Sequence, residues 1–226
     1  MLTRFAMEKR IRVAMIDDHY IMLSSVANEA ARSSDIEMVG TATDGNQLVQ
    51  LVHEKHPDVV ILDLKTPKGN FKPLPVVRKV IKEYPETHIL VLTGLDDDLL
   101  MRYLLTAGVR GYILKGDEAS QNILDAVRKI HHGEMVLSNS VTQTYIHAGG
   151  APTPLTDQEI EILIYLAKGL ENEAIGKKMD LSERRIRNAL TVIYKKLEIE
   201  EGKGINRRVA AINKARALGL IPDEGI

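Results

Sequence analysis

A chain of 226 residues has room for one mid-sized domain and one small one, each with its own core. It contains no cysteine, which excludes disulfides and thiol chemistry, and a formal charge of −1 can conceal a basic part behind an acidic one. There is no run of about 18 apolar residues, and Met1 to Arg10 lacks the apolar core of a signal peptide, so a cytoplasmic protein with no membrane association is expected.

From Ile11 onward, short apolar runs alternate with amphipathic stretches. The runs are Ile11–Ile16, Glu37–Ala42, Val59–Leu62, Ile89–Leu92 and Gly111–Leu114. Three are continuous and rich in Val and Ile, as strands covered on both faces should be. Between them Asn46–His53 and Leu99–Ala107 carry helical patterns, the second stopped by Gly108. Five strands, each followed by a helix, predict an α/β fold over residues 9–136: a (βα)5 doubly wound parallel sheet. Such sheets bind ligands at the carboxyl ends of their strands, where the strand order reverses.

Residues 137–153 lack a sustained apolar period and run into Gly149-Gly150-Ala151-Pro152-Thr153-Pro154. They read as a linker, the alternative being an extra helix from Val141 to Ala148 packed on one domain. Over residues 154–226 every periodic segment reads as helix, which predicts a small all-α domain. Thr156 and Glu159 have capping-box spacing ahead of a helix with apolar Ile160, Leu163, Ile164 and Ala167. A short helix from Asn172 to Met179 is expected to bury Ala174, Ile175 and Met179. Ser182 suits the N-cap of a third helix, Glu183–Leu197, with a buried stripe of Ile186, Leu190, Ile193 and Leu197. A last helix begins at Arg207 and carries Val209, Ile212 and Leu220 as candidate core.

The strand ends carry the chemistry: Asp17-Asp18 after the first, Asp63 after the third, Thr93-Gly94 at the fourth and Lys115-Gly116 after the fifth. A lone strand-end Asp is commonly a loop or cap residue, Thr93 alone a buried strand residue, and Lys115 alone a surface charge. A parallel sheet gathers all of these on one edge. Three carboxylates in one pocket repel unless a cation holds them, and an all-oxygen site suits Mg²⁺. A lysine and a threonine hydroxyl beside them can engage a phosphoryl group.

Residues 11 to 135 resemble the receiver domain of response regulators, whose pattern is an acidic pair, an Asp, a Thr or Ser and a Lys on those four strand ends. The resemblance implies that Asp63 accepts phosphate from a sensor histidine kinase. It also implies Mg²⁺ held by Asp18, Asp63 and the backbone carbonyl of Lys65, with Asp17 acting through water. Thr93 and Tyr112 correspond to the switch pair, with Lys115 completing it. Pro67 fits the pattern. The loop Thr66–Pro75 departs from it, with Phe71 in place of a Gly and two prolines, Pro73 and Pro75, delaying the next helix. Haloacid-dehalogenase-type phosphatases share a strand-end Asp but need an acid two positions on, where this chain has Lys65. His19 follows the acidic pair and is expected at the pocket's rim. His53/His56 and His131/His132 lack a second pair at ligand spacing and read as surface residues.

The stripe of the third helix opposite its apolar one holds Arg184, Arg187, Asn188, Thr191 and Lys195. Such a face is often only solvated surface. Here Glu183 is the one acid against five basic residues, and the short helix and tight turn before it form a helix-turn-helix. Residues 155 to 197 resemble the LuxR-type helix-turn-helix, from Leu155-Thr156 through Gly169-Leu170 to Tyr194-Lys195-Lys196-Leu197. Together the two resemblances imply a response regulator of the NarL/FixJ class that binds double-stranded DNA as a homodimer and is not an enzyme. Arg187, Asn188 and Thr191 then approach bases, and Arg184, Arg185, Lys195 and Lys196 approach phosphates. The link Glu198–Asn206 is longer than usual for that class. A competing reading is an atypical regulator that binds DNA without phosphorylation, its receiver serving as an interaction module.

Overall fold

Five strands form where short apolar runs predict them: β1 (Ile11–Ile16), β2 (Ile36–Ala42), β3 (Val59–Leu62), β4 (His88–Thr93) and β5 (Gly111–Leu114). In this computed structural model, which describes residues 9–65, 71–95, 97–117, 122–200, 202 and 206–223, all pair in parallel in the order β2-β1-β3-β4-β5. The chain divides into two compact units, residues 1–150 and 151–226. In the first, five helices cover the sheet: α1 (Tyr20–Arg32), α2 (Leu48–Lys55), α3 (Pro73–Glu83), α4 (Asp98–Ala107) and α5 (Ile123–His131). Val13, Met15, Val59, Ile61, Leu90 and Leu92 join Val26 of α1 and Val127 and Ile130 of α5 in one core layer. The alternate strand residues Ala14, Ile16, Val60 and Leu62 are equally inaccessible, so both faces are covered, and α2, α3 and α4 lie against one another in sequence. Strand order reverses between β1 and β3, which opens the ligand crevice at their carboxyl ends.

Two elements extend this frame. A two-residue strand, β6 (Val136–Leu137), adds to β5, too short for any alternation to show in the sequence. The stretch read as linker contains α6 (Asn139–His147), as the alternative reading had it. It lies against α4 and β5, with Val141 as its single buried residue, and one buried position leaves no detectable period. The Arg102 guanidinium of α4 is buried and donates to the Ala148 carbonyl oxygen at 3.2 Å, just past the end of this helix.

The departure at Phe71 is built into the packing. Its ring is buried over Gly45, where an added Cβ would stand 2.5 Å from it. Helix α3 starts at Pro73 with Lys72 as extended cap, which is the delayed start that the two prolines predict. Thr66 to Asn70, including Pro67, lie outside the described residues.

The second unit is helical: α7 (Asp157–Ala167), α8 (Asn172–Met179), α9 (Glu183–Lys196) and α10 (Arg207–Ala217). The Thr156/Glu159 capping box forms, and Ser182 caps α9 by accepting from the Arg185 backbone N–H. Asp180 turns the chain between α8 and α9 in the left-handed region, φ 53°. The α9 stripe Ile186, Leu190, Ile193 and Leu197 is buried as expected. The expected faces of α7 and α8 hold in part: Leu163 and Ile175 are buried as expected, while Ile160, Ile164, Ala167 and Met179 are only half-buried. Ile162, Leu163 and Leu166 are the buried side of α7, and Ile175 with Gly176 that of α8, while Ala174 is exposed. Both helices carry more small or apolar residues than one stripe needs, so periodicity alone left the choice open. In α10 the core positions are Ala211 and Ala215, followed by Leu218 and Ile221; Val209 is exposed.

Candidate functional site

The carboxyl edge of the sheet brings Asp17, Asp63, Thr93 and Lys115 together. The Asp63 backbone N–H donates to the Ile16 carbonyl (2.8 Å) and that of Lys115 to the Thr93 carbonyl (2.8 Å), so the strand ladders themselves align the four ends. Asp17 and Asp63 are each only 1% exposed. The Lys115 ammonium reaches across and donates to Asp17 Oδ2 at 2.7 Å and Asp63 Oδ2 at 2.6 Å. Burial pushes that ammonium down, but its hydrogen bonds to the two carboxylates outweigh burial and hold it above the ordinary lysine value. The Lys65 backbone N–H donates to Asp63 Oδ1 at 3.0 Å and fixes that carboxylate's orientation. Thr93 is fully buried, its Oγ1 accepting from the Leu95 N–H at 3.1 Å. Tyr112 is buried on β5 and lines a small cavity with Leu95, Met101, Val141 and Thr144.

One lysine against three carboxylates leaves the pocket negative. Asp17, Asp18, His19 and Asp63 each offer a ligand atom, all within 4.8 Å of one another, and no other such group occurs among the described residues. Asp18 Oδ1 is buried and 2.7 Å from His19 Nδ1, yet misaligned for a hydrogen bond, so an acceptor is left unsatisfied. An oxygen-rich, net-negative cluster with an unsatisfied carboxylate fits a hard divalent cation such as Mg²⁺. His19, expected at the rim, has a largely exposed ring, but its N–H and Nδ1 approach Asp17 Oδ1 at 2.9 and 3.1 Å. Its place next to the acidic pair was the signal for this tighter role. The pairs His53/His56 and His131/His132 gather no third ligand among the described residues.

On α9, Arg184, Arg185, Arg187, Asn188, Thr191 and Lys195 are all exposed on the side away from the buried stripe. Arg187 pairs with Glu183 one turn earlier at 2.6 Å, and both ends remain in water, so the pair opens at little cost. Lys196 is different. Its side chain is 14% exposed and donates to Glu159 Oε2 at 2.7 Å and the Pro154 carbonyl at 3.1 Å. In the structure this ammonium ties the end of α9 to the capping box of α7. Burial raises the Glu159 carboxyl, but the bonds from Lys196 and the Thr156 backbone hold it below the ordinary value.

Comparison with known proteins bears on both units. The profile of the response regulator receiver domain matches residues 13–128, and that of bacterial regulatory proteins of the luxR family matches residues 153–209. The oxygen regulatory protein NreC of Staphylococcus epidermidis (strain ATCC 12228) is 34% identical over 203 residues, covering 84% of this chain and 92% of that protein. The transcriptional regulatory protein LiaR of Bacillus subtilis is 31% identical over 198 residues, with the same coverage. The response regulator RcsB in a DNA complex shares the fold, with a TM-score of 0.58 at 21% identity over 93% of this chain and all of that one.

Proposed function

The chain belongs to the two-component response regulators that join a receiver domain to a luxR-family DNA-binding domain, a family of transcription regulators rather than enzymes, and on that premise we propose that phosphorylation of Asp63 controls its binding to promoter DNA. The observation that carries this reading is the Lys115 ammonium bridging the buried carboxylates of Asp17 and Asp63. A carboxylate held this way is preorganised for in-line attack by its free lone pair. An Asp63 oxygen attacks the phosphorus of a phosphohistidine on a sensor kinase; the P–O bond forms as the P–N bond breaks, and the imidazole leaves with its proton. Asp18, Asp63 and the Lys65 backbone carbonyl would hold Mg²⁺, with Asp17 acting through water, and the ion would supply positive charge to offset that on the transferring group. Lys115 then moves its contact from the Asp63 carboxylate to the phosphoryl oxygens. Thr93 gives up its bond from the Leu95 N–H to donate to the same group, and Tyr112, which lines the small cavity beside α4 and α6, repacks with it.

The working division is a receiver at 9–136, a connecting segment at 137–153 and a DNA-binding domain at 154–226. Arg187, Asn188 and Thr191 contact bases, and Arg184, Arg185 and Lys195 contact phosphates. Their exposure on one side of a capped helix supports this, as does their excess over the lone Glu183. Two copies present their α9 helices to half-sites about one helical turn apart. Its DNA-binding role supports a cytoplasmic location. No described helix is long and apolar enough to cross a membrane.

Beryllofluoride with Mg²⁺ tests the switch. Promoter affinity and dimer fraction should rise in the wild type and stay unchanged in Asp63→Ala. Equal affinities for the two proteins in both conditions would show a regulator whose DNA binding ignores phosphorylation.

A further inference from the structure

We infer that Val192 is a specificity-determining residue that reads the 5-methyl group of a thymine in the major groove. In the second unit only Val192 and Val209 are large apolar side chains left exposed among the described residues, at 46% and 49%. Single exposed apolar residues are ordinary on protein surfaces, so exposure alone says little. The surroundings of Val192 say more. At about 100° per residue, Val192 lies about 40° round α9 from Asn188 and about 60° from Lys195, while Leu190 and Leu197 fall on the far side. Asn188, Thr191 and Lys195 are exposed with it, and Leu190, Ile193 and Leu197 are buried. Among the described residues Val192 is therefore the single large apolar side chain exposed on α9, on the side that also carries Asn188 and Lys195.

Folding does not ask for a valine there. A β-branched residue has lower helix propensity than the lysine or glutamine that would suit a solvated position, and its methyls gain nothing from water. In the major groove the thymine methyl is the one apolar feature among the edges of the four unmodified bases, and it pairs with a small branched side chain by contact rather than by hydrogen bond. Val192 is rigid at χ1, which lets its two methyls hold one position against that group without losing rotamer freedom. Asn188, one turn earlier on the same side, would read the neighbouring adenine edge, so a half-site with adjacent adenine and thymine positions is expected.

This inference rests on the DNA-binding reading and deepens it. Its test uses the full chain, with beryllofluoride and Mg²⁺ present, and a randomised duplex library. Wild type, Val192→Ala and Val192→Asn are each taken through selection. The wild type should enrich a thymine once per half-site, and replacing that thymine by deoxyuridine, which removes only the methyl, should weaken binding about fourfold. In Val192→Asn the same replacement should leave binding unchanged, and the preference at that one position should relax while the others persist. Indifference of the wild type to deoxyuridine at every enriched thymine overturns the assignment, and needs no variant to fold. Undiminished deoxyuridine sensitivity in Val192→Asn overturns it as well. A wild type that enriches no sequence at all would instead remove the DNA-binding reading on which the inference stands.

Discussion

Lys115 is the residue on which the receiver pocket balances. Its ammonium is the cation that the structure places between Asp17 and Asp63, so removing it leaves two buried carboxylates facing each other. Lys115→Ala is expected to lower metal-free stability by about 3 kcal/mol, discounted little because the pocket is mostly closed. Mg²⁺ should restore part of that loss and stabilise the variant more than the wild type, which urea titrations with and without chelator will show. In the second unit, Lys195 and Lys196 are neighbours in different settings, the first exposed and the second bonded to Glu159. Lys195→Ala should weaken binding to all DNA sequences alike and reduce the salt slope by about one. Lys196→Ala should leave the slope unchanged and instead lower stability. Glu159 explains the pH dependence of that effect. Its carboxyl is held below its ordinary value in the folded protein, so its contribution is complete above the unfolded glutamate value and fades as pH falls through the folded one. Lys196→Ala should therefore destabilise at neutral pH and converge with the wild type in acid, as read by thermal unfolding across pH.

Elements were legible wherever their signal was local. Capping residues, the stop at Gly108 (φ 110°) and the α9 stripe all formed as their chemistry predicts. The buried faces of α7 and α8 were only partly legible, Leu163 and Ile175 being read correctly, since which apolar residues turn inward depends on the helices they meet. The Phe71 loop shows the same limit from another side. Its departure from the receiver pattern reads as an anomaly in sequence, but in the fold Gly45 supplies the space that the ring fills. Gly45→Ala should lower stability by about 1–3 kcal/mol through overpacking. Combining it with Phe71→Leu should cost less than the sum of the two single changes, and a double-mutant cycle in urea measures the coupling.

At the scale of the whole molecule, the structure moves weight from the connecting segment to the first unit. β6 pairs with β5, α6 lies on α4 and β5, and Ser140 Oγ donates to Asp117 Oδ2 at 2.5 Å, two residues past Lys115. The Asp117 carboxyl is held below its ordinary value, chiefly by hydrogen bonding to Ser138 and Ser140. A receiver cut after residue 136 should thus melt at a lower temperature than one cut after residue 150, because it loses Val141 and exposes the side of α4 that α6 covers. Identical melting of the two fragments would mean that α6 contributes nothing to the receiver's stability. By itself the sequence determined the strands, their chemistry-bearing ends, the helix caps and the outward face of α9, because each follows from period or from a residue's own geometry. Tertiary structure alone decided that Lys115 joins two aspartates 98 and 52 residues away, that Lys196 faces Glu159 rather than solvent, and that α6 packs on the receiver. Periodicity tells which side of an element is buried, but the order in which strands and helices assemble decides what that side meets.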